Sequence, residues 1–478
     1  MIGTLYSCTA VLTAIKRLLL LVFASFLFQA LPAQVPDHAQ PFSPDSIKNK
    51  RRRPLTPARL FGRSMIELGL AEGLVWGYDR YLKKADWAYI NLGTMASHLA
   101  PKSWEWDNDP FPTNQIGHPF HGSIFYNTFR SNGYSFWQSM PAAFAGSYLW
   151  ETFAETQPPA PNDFINTSFG GIILGEVTHR LAEKIHNSRR RGFAKKAGEV
   201  FATFINPMDG LNRVLDGKWG TSPTAAKKQD LPPLTLGWEL GLRKFNVNNN
   251  KILEKGKFGV FGRLTLNYGS PGVDYKIPFS NFSIVAELGQ DDTSLLNVVS
   301  IQASVTGWKL DMFNRTHLAM VSANYDYIRN EAFFYSAESV RMNLLSEYNL
   351  SSKTKLNTYL GAGPIILSAV PNPYKDYFGR NYDYGTGLAI NGGGIFNFND
   401  RFFYNIRYRG GWTHTLNGAR SNYYLSAFTN ELGVQFSKYW GLSAESGFFG
   451  LRGFYKDHDN VVKRYPYLRL TLKCNAPI

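Results

Sequence analysis

From Leu234 to Cys474 the hydropathy of the chain repeats with a period of two, and this constrains the fold more than any other feature. Phe402, Tyr404, Ile406 and Tyr408 alternate with Phe403, Asn405, Arg407 and Arg409. The same pattern sets Leu264, Leu266 and Tyr268 against Arg263, Thr265 and Asn267, and Leu468, Leu470 and Leu472 against Arg469, Thr471 and Lys473. In 298–305, Val299, Ile301, Ala303 and Val305 alternate with Ser300, Gln302 and Ser304. Successive side chains of a strand point to opposite faces, so each run has one apolar and one polar face. The runs are about 8–12 residues long, which suits strands that cross a bilayer. A soluble sandwich or lipocalin-like barrel would alternate too.

Such runs fall near 234–245, 258–268, 281–288, 297–310, 315–328, 332–348, 354–368, 382–396, 401–413, 422–436, 440–451 and 464–474. From the fourth onward, short turns at 311–314, 397–400 and 437–439 interleave with longer loops at 370–381, 416–421 and 452–463. Outer-membrane barrels have short periplasmic turns and longer outer loops. The segment 269–280 breaks this phase, being too long for a periplasmic turn. Tyr325, Tyr327, Tyr404 and Tyr408, near strand ends, suit an aromatic girdle. The reading is an α+β membrane protein, an N-terminal helical domain followed by a roughly 12-stranded antiparallel outer-membrane β-barrel at 234–474.

The N-terminus reads as delivery. Lys16 and Arg17 precede the apolar run Leu18 to Phe28, and Leu31-Pro32-Ala33 offers a cut. We expect a signal peptide at 1–33, cleaved near Ala33; an N-terminal membrane anchor is the alternative, for which the run is short. Residues 34–57 read as a Pro/basic linker, 58–205 as a helical domain of unknown function, and 206–233 as a second linker opened by the break at Asn206-Pro207. The net charge of +15 sits in Pro-rich or polar segments such as Lys48 to Arg53. That suits an anionic lipid surface, and no nucleic acid is expected. Of two cysteines, Cys474 alone follows the cut, which excludes a disulfide framework and a Cys-type zinc site in the cleaved chain.

The chemistry is concentrated between Trp104 and His179. His118 and His121 lie three apart, Glu151 and Glu155 four apart on a strong helix, and Glu176 with His179 forms Glu-x-x-His. All lie in otherwise apolar text, where an ionised group must be paired or used. We expect His118, His121, Glu151, Glu176 and His179 to form one candidate catalytic or metal cluster, with Glu155, Asp163 and Asn166 around it. Such a set could hold a divalent zinc, manganese or iron ion, or act as a metal-free acid–base pair. The plainer alternative is that these groups cap helices, pair with Arg130 or Arg180 and line a polar interior. Gly171-x-x-x-Gly175 suits close approach of two helices.

The ordered runs W-E-W-D-N-D-x-F-x-T-N-Q-x-G-H-P-x-H-G from Trp104, R-S-N-G-Y-x-F-W from Arg130, G-S-x-x-W-E-x-x-x-E from Gly146, N-D-x-I-N-T-x-x-G-G from Asn162 and G-E-x-x-H-R from Gly175 resemble a bacterial envelope family known as a domain of unknown function, DUF3943. The resemblance covers roughly 70–220 and implies no activity.

Two functions follow as expectations. One is an outer-membrane barrel of a Gram-negative-type envelope, with the helical domain as plug or periplasmic module in a structural, transport or envelope-maintenance role. The other is an outer-membrane enzyme acting on lipid or glycolipid through the His/Glu cluster. No Gly-x-Ser-x-Gly elbow is present, so such an enzyme would rely on an activated water. Outer-membrane lipid is the expected partner, with an envelope protein as a further one.

Overall fold

The computed structural model describes residues 56–188, 190–221, 231–247, 251–291, 294–313 and 315–477. The expected signal peptide, the cut near Ala33, most of the 34–57 linker and residues 222–230 lie outside the described residues.

The helical module opens with α1 (Pro57–Gly77), whose first turn is capped by the Thr56 hydroxyl accepting from Arg59 N at 3.4 Å. Then come α2 (Leu92–His98), α3 (His118–Arg130), α4 (Phe136–Phe153), α5 (Pro161–Ile165), α6 (Gly171–His186), α7 (Gly192–Ile205) and α8 (Pro207–Leu215). Ser135 and Gln138 form a reciprocal capping box at the start of α4. Asn206-Pro207, read from sequence as the start of a linker, begins a helix. Proline fits the first helical position, and the Asn206 side chain accepts from Asp209 N at 3.1 Å.

α3 crosses α6 and the single π-turn before it at almost backbone contact. A Cβ on Gly122 would stand 1.7 Å from the Thr167 carbonyl oxygen, and one on Gly175 would stand 2.6 Å from the Tyr126 ring. Glycine is required at both positions by space alone.

The rest of the chain is one closed antiparallel barrel in sequence order. Its strands are β1 (Leu234–Phe245), β2 (Lys257–Tyr268), β3 (Phe282–Asp291), β4 (Ser294–Met312), β5 (Arg315–Arg329) and β6 (Phe334–Ser351), then β7 (Thr354–Pro371), β8 (Tyr382–Phe398), β9 (Phe402–Asn417), β10 (Ser421–Gln435), β11 (Trp440–Tyr455) and β12 (Val461–Pro477). Closure pairs β1 with β12, leaving no edge exposed to lipid.

The register divides the side chains into two sets. Glu239, Arg263 and Glu287 face one way, in the row that also carries Glu445 and Arg469. Arg263 donates to Glu239 at 2.9 Å, to Glu287 at 3.2 Å and to Glu445 at 3.1 Å; Arg469 donates to Glu445 at 2.8 Å and also to Glu287. Arg409 on β9 reaches Asp326 on β5 at 2.6 Å and Ser300 on β4 at 3.0 Å. Several strands separate β9 from β5 on either route around the sheet, so that contact runs through the lumen. The charged set therefore points inward, and the lumen is crossed by its own ion pairs.

The other set points outward and is apolar. Leu242, Leu360, Leu388, Leu432 and Leu470 are 53–67% exposed. Phe396, Phe402, Tyr404 and Trp440 gather near the end that holds both barrel termini. Polar inside, apolar outside with an aromatic rim is the wall of an outer-membrane barrel. The connections at 352–353, 399–401 and 436–439 lie at the end with the termini, and those at 246–256, 372–381 and 456–460 at the other. The connections 330–333 and 418–420 at that other end are short too, and 269–281 at the end with the termini is long. We call the end with the termini periplasmic and the other external after the three short turns and the three longer loops just named.

The helices lie neither in the lumen nor at its mouth, the two positions expected from sequence. Their core is shared with outward-facing residues of the wall: Phe111, Tyr126, Phe136 and Ile172 pack in one cluster with Tyr268, Phe282, Ile301, Tyr325, Leu367 and Tyr384. Register fixes the side, because Tyr325 pairs with Glu338 and its neighbour Asp326 with inward Ala337. The long turn 269–281 belongs to this contact. Phe279 packs against Phe136 with centroids 5.4 Å apart and the rings tilted by 32°, and Arg180 donates to the Pro278 carbonyl at 3.0 Å. A periplasmic turn that must hold a helical module has reason to be long.

Candidate functional site

Two polar clusters occupy the interior of the helical module. The first lies at the C-terminal end of α3. Glu176, fully buried, accepts from Arg130 Nε at 2.7 Å, Arg180 Nε at 2.8 Å and Tyr126 OH at 2.6 Å. Burial alone would raise the pKa of Glu176, but the charges of Arg130, His179 and Arg180 outweigh it and hold the carboxylate below its ordinary value. Burial and the Arg130 charge push His179 down to about 4, so it is neutral near pH 7.

The second cluster lies at the N-terminal end of α3, beside the external end of the barrel. The loop before α3 enters through Asp107, whose carboxylate accepts from Asn114 at 2.7 Å and Asn162 at 2.8 Å. Asn162 also donates to Asp163 at 2.7 Å. His118 Nε2 stands 3.2 Å from Asp163, and its Nδ1 stands 3.1 Å from the Thr167 hydroxyl. Asn166 donates to the Asn114 carbonyl at 3.1 Å. Glu151 accepts from Ala160 N at 2.8 Å and feels the charge of Glu155, four residues on. His121 packs between Phe125 and Trp150, with centroids 4.3 and 4.6 Å away, and its Nε2 has no hydrogen-bond partner among the described residues.

Electrostatics differ sharply between the two. Burial, then neighbouring carboxylates, raises Glu151, Glu155 and Asp163 well above the carboxylate range, and Asp109 to about 6. Burial pushes His118 down to about 4 and His121 to about 3. In the second cluster burial thus favours the protonated form of Glu151, Glu155 and Asp163 and the unprotonated form of both imidazoles, groups that can hold and exchange protons.

The barrel wall completes it. Tyr382 OH receives a bond from Asn114 at 2.7 Å and Tyr384 OH one from Asn162 at 3.2 Å, while Arg380 donates to the Asp107 carbonyl at 2.6 Å and Tyr377 OH to that of Trp106 at 2.8 Å. Tyr325 OH donates to the Gln115 carbonyl, and Ser336 to its side chain at 2.5 Å.

The structure therefore brings His118, His121 and Glu151 together with Glu155, Asp163 and Asn166, and sets Glu176 with His179 apart. From His118 to Arg130 the helix rises about 18 Å, which separates the two groups. Glu176 takes the Arg-paired arrangement weighed as the plainer alternative. Among the described residues no group of three or more His, Cys, Asp or Glu stands where it could hold a metal ion. Asp107, Asn114, Asn162 and the tyrosines of β8 were missed as site residues. The dense Trp104–Asp109 run was a signal for Asp107, whereas nothing in the sequence linked it to β8.

Residues 103–208 match the family described as a domain of unknown function, DUF3943. This is the family whose motifs the sequence resembled. No curated protein matches the chain. Among solved structures it is similar to the NanC porin at 10% identity and a TM-score of 0.27, over 48% of this chain and 98% of that one. It is similar to an outer membrane channel from Pseudomonas putida F1 at 12% identity and a TM-score of 0.29, over 54% of this chain and 100% of that one. The outer membrane channel DcaP of Acinetobacter baumannii gives 9% identity and a TM-score of 0.24, over 52% and 96%.

Proposed function

We propose that the barrel acts as a closed scaffold that holds the helical module against its lipid-facing wall, in an envelope-maintenance role and not as an open pore for solutes. The observation that carries this reading is Arg409, which bridges from β9 to Asp326 and Ser300 across the lumen. The second ionic knot, of Arg263, Arg469, Glu239, Glu287 and Glu445, supports it. Breaking such buried pairs one partner at a time is costly, by about 3–5 kcal/mol, so the lumen has no easy open state. Within the module, His118, Asp163, Glu151 and Glu155 are the residues we assign to function, as a proton-holding cluster at the external level of the wall. Glu176 and His179 are assigned to holding the module together.

The test is conductance in planar bilayers. The full chain is expected to give no steps of porin size, and the Arg263→Ala/Arg409→Ala variant is expected to give them. Porin-sized steps from the unaltered protein would return the transport reading.

A further inference from the structure

The wall that the helical module leaves open, formed by the outward faces of β9 to β12 with Leu388 and Ile390 of β8, carries a groove of about 1450 Å³. Its position follows from the register. Trp412 pairs with Tyr424, Tyr424 with Arg452, Ser426 with Gly450, and Gly450 with Arg464, all on the outward side. Ser426 and Gly450 form the floor, and the exposed rings of Trp412, Tyr424 and Phe448 stand around it. Leu388 and Ile390 continue the groove toward the middle of the wall. Packing does not demand a glycine at 450. A Cβ there would meet the Phe448 ring and the Ser426 carbonyl at an ordinary 3.7 Å.

Arg452 and Arg464 stand at the external end of this groove, exposed, and on the lipid-facing side. A charge on that face is disfavoured at mid-wall and tolerated near the interface. Arg452 lies just before the end of β11 at Tyr455, and Arg464 just after the start of β12 at Val461. Both therefore stand at the headgroup level of the outer leaflet. Guanidinium groups at that level, above an apolar trough, match an amphiphile with a phosphate on its headgroup and acyl chains below.

We propose that this groove is a binding site for a phosphate-bearing lipid of the outer leaflet, held by Arg452 and Arg464 with an acyl chain along Gly450 and Ser426. The site is separate from the helical module and does not depend on what the module does.

The experiment uses native mass spectrometry of the full chain in a neutral detergent. Phosphatidic acid and phosphatidylcholine of identical acyl chains are the probes, with inorganic phosphate as competitor. Two cations near a membrane surface give an expected preference of roughly 30-fold for phosphatidic acid. That preference is expected to vanish in Arg452→Gln/Arg464→Gln, and Gly450→Leu is expected to weaken both lipids by filling the floor. Inorganic phosphate at equal concentration is expected to displace nothing. The proposal is overturned if the unaltered protein shows no preference, if the double variant retains it, or if inorganic phosphate displaces the lipid and so marks a site for the ion alone. Heat-modifiable migration on a gel checks that each variant is folded; if the arginine variant is not, the unaltered protein and Gly450→Leu still decide.

Discussion

Tyr327 on β5 and Leu432 on β10 both point outward from the same barrel, yet the first is 2% exposed and the second 61%. The difference extends beyond this pair, although the covered side also leaves Met342, Leu360 and Leu388 open. On the side of β4 to β8, outward positions hold Tyr325, Tyr327, Ser336, Glu338, Tyr382 and Tyr384, all buried beneath helices. On the side of β9 to β12 they hold Trp412, Tyr424, Phe448, Leu432 and Leu470, all open. Hydroxyls and a carboxylate cannot face hydrocarbon without partners. The covered wall can carry the hydroxyls because the module supplies bonds: to Tyr382 from Asn114, to Tyr384 from Asn162, and from Ser336 to Gln115. The Glu338 carboxyl has no hydrogen-bond partner among the described residues. The module is thus a second layer of the wall. Its own outer face agrees, since Phe61, Met65, Ile66, Leu70 and Leu74 of α1 are 45–69% exposed.

The largest way to break this arrangement is at Glu176. Glu176→Ala leaves the Arg130 and Arg180 guanidiniums without their anion inside the module, at an expected cost of about 3–5 kcal/mol. The expected outcome is a module that falls to protease while the barrel keeps its heat-modifiable migration. Protease resistance equal to that of the unaltered protein would mean the wall, and not this knot, holds the module.

Next is the helix crossing. Gly122→Ala drives a methyl group into the Thr167 carbonyl, which no rotamer can relieve. We expect a loss near the top of the ~1–3 kcal/mol range for overpacking, read as a lower melting temperature of the module. Gly73→Ala, on α1 with nothing within 4 Å of the added atom, serves as the control and should be neutral or better.

The two walls also explain what could be read from sequence. The inside–outside alternation at 402–409 follows directly from lumen and lipid, and the number of strands came with it. The same alternation at 298–305 is equally plain, but an apolar face meets lipid on one side of the barrel and helices on the other, and both demand apolar residues. Tyr325 and Tyr327 suited an aromatic girdle by sequence; Tyr404 occupies one, while the other two lie under the module. In the site, spacing along a helix shows which side chains share a face and not what they meet. His118 and His121 are three apart, yet one reaches Asp163 and the other packs on Trp150. The deciding partners, Asn162 for Asp107 and Tyr382 for Asn114, come from distant parts of the chain. That distance is a property of the tertiary fold, which local pattern does not carry.

The smallest effect sharpens the contrast between the two polar clusters through pH. Asp109, beside Asp107, is raised from 3.8 to about 6, by burial first and then by the Asp107 charge. A carboxyl whose pKa is higher folded than unfolded contributes fully below its unfolded value, and that contribution is lost as pH rises through its folded value. The module should therefore lose stability between about pH 4 and pH 6.5. Glu176 has the opposite sign: its folded pKa is lowered, so its contribution is present above 4.5 and disappears only as pH falls further. From pH 4.5 to 6.5 the raised carboxyls Glu151, Glu155 and Asp163 act in the same direction as Asp109, so the Asp109 share is read from the difference between variant and unaltered protein. A shift of about two units corresponds to roughly 3 kcal/mol, which partial exposure reduces to about 1–2 kcal/mol at pH 7. Asp109→Asn should raise the melting temperature at pH 7, change it little at pH 4.5, and make the slope between less steep. A constant difference between variant and unaltered protein across that range would show that Asp109 does not titrate there and that the acidic cluster is less shielded from water than its packing implies.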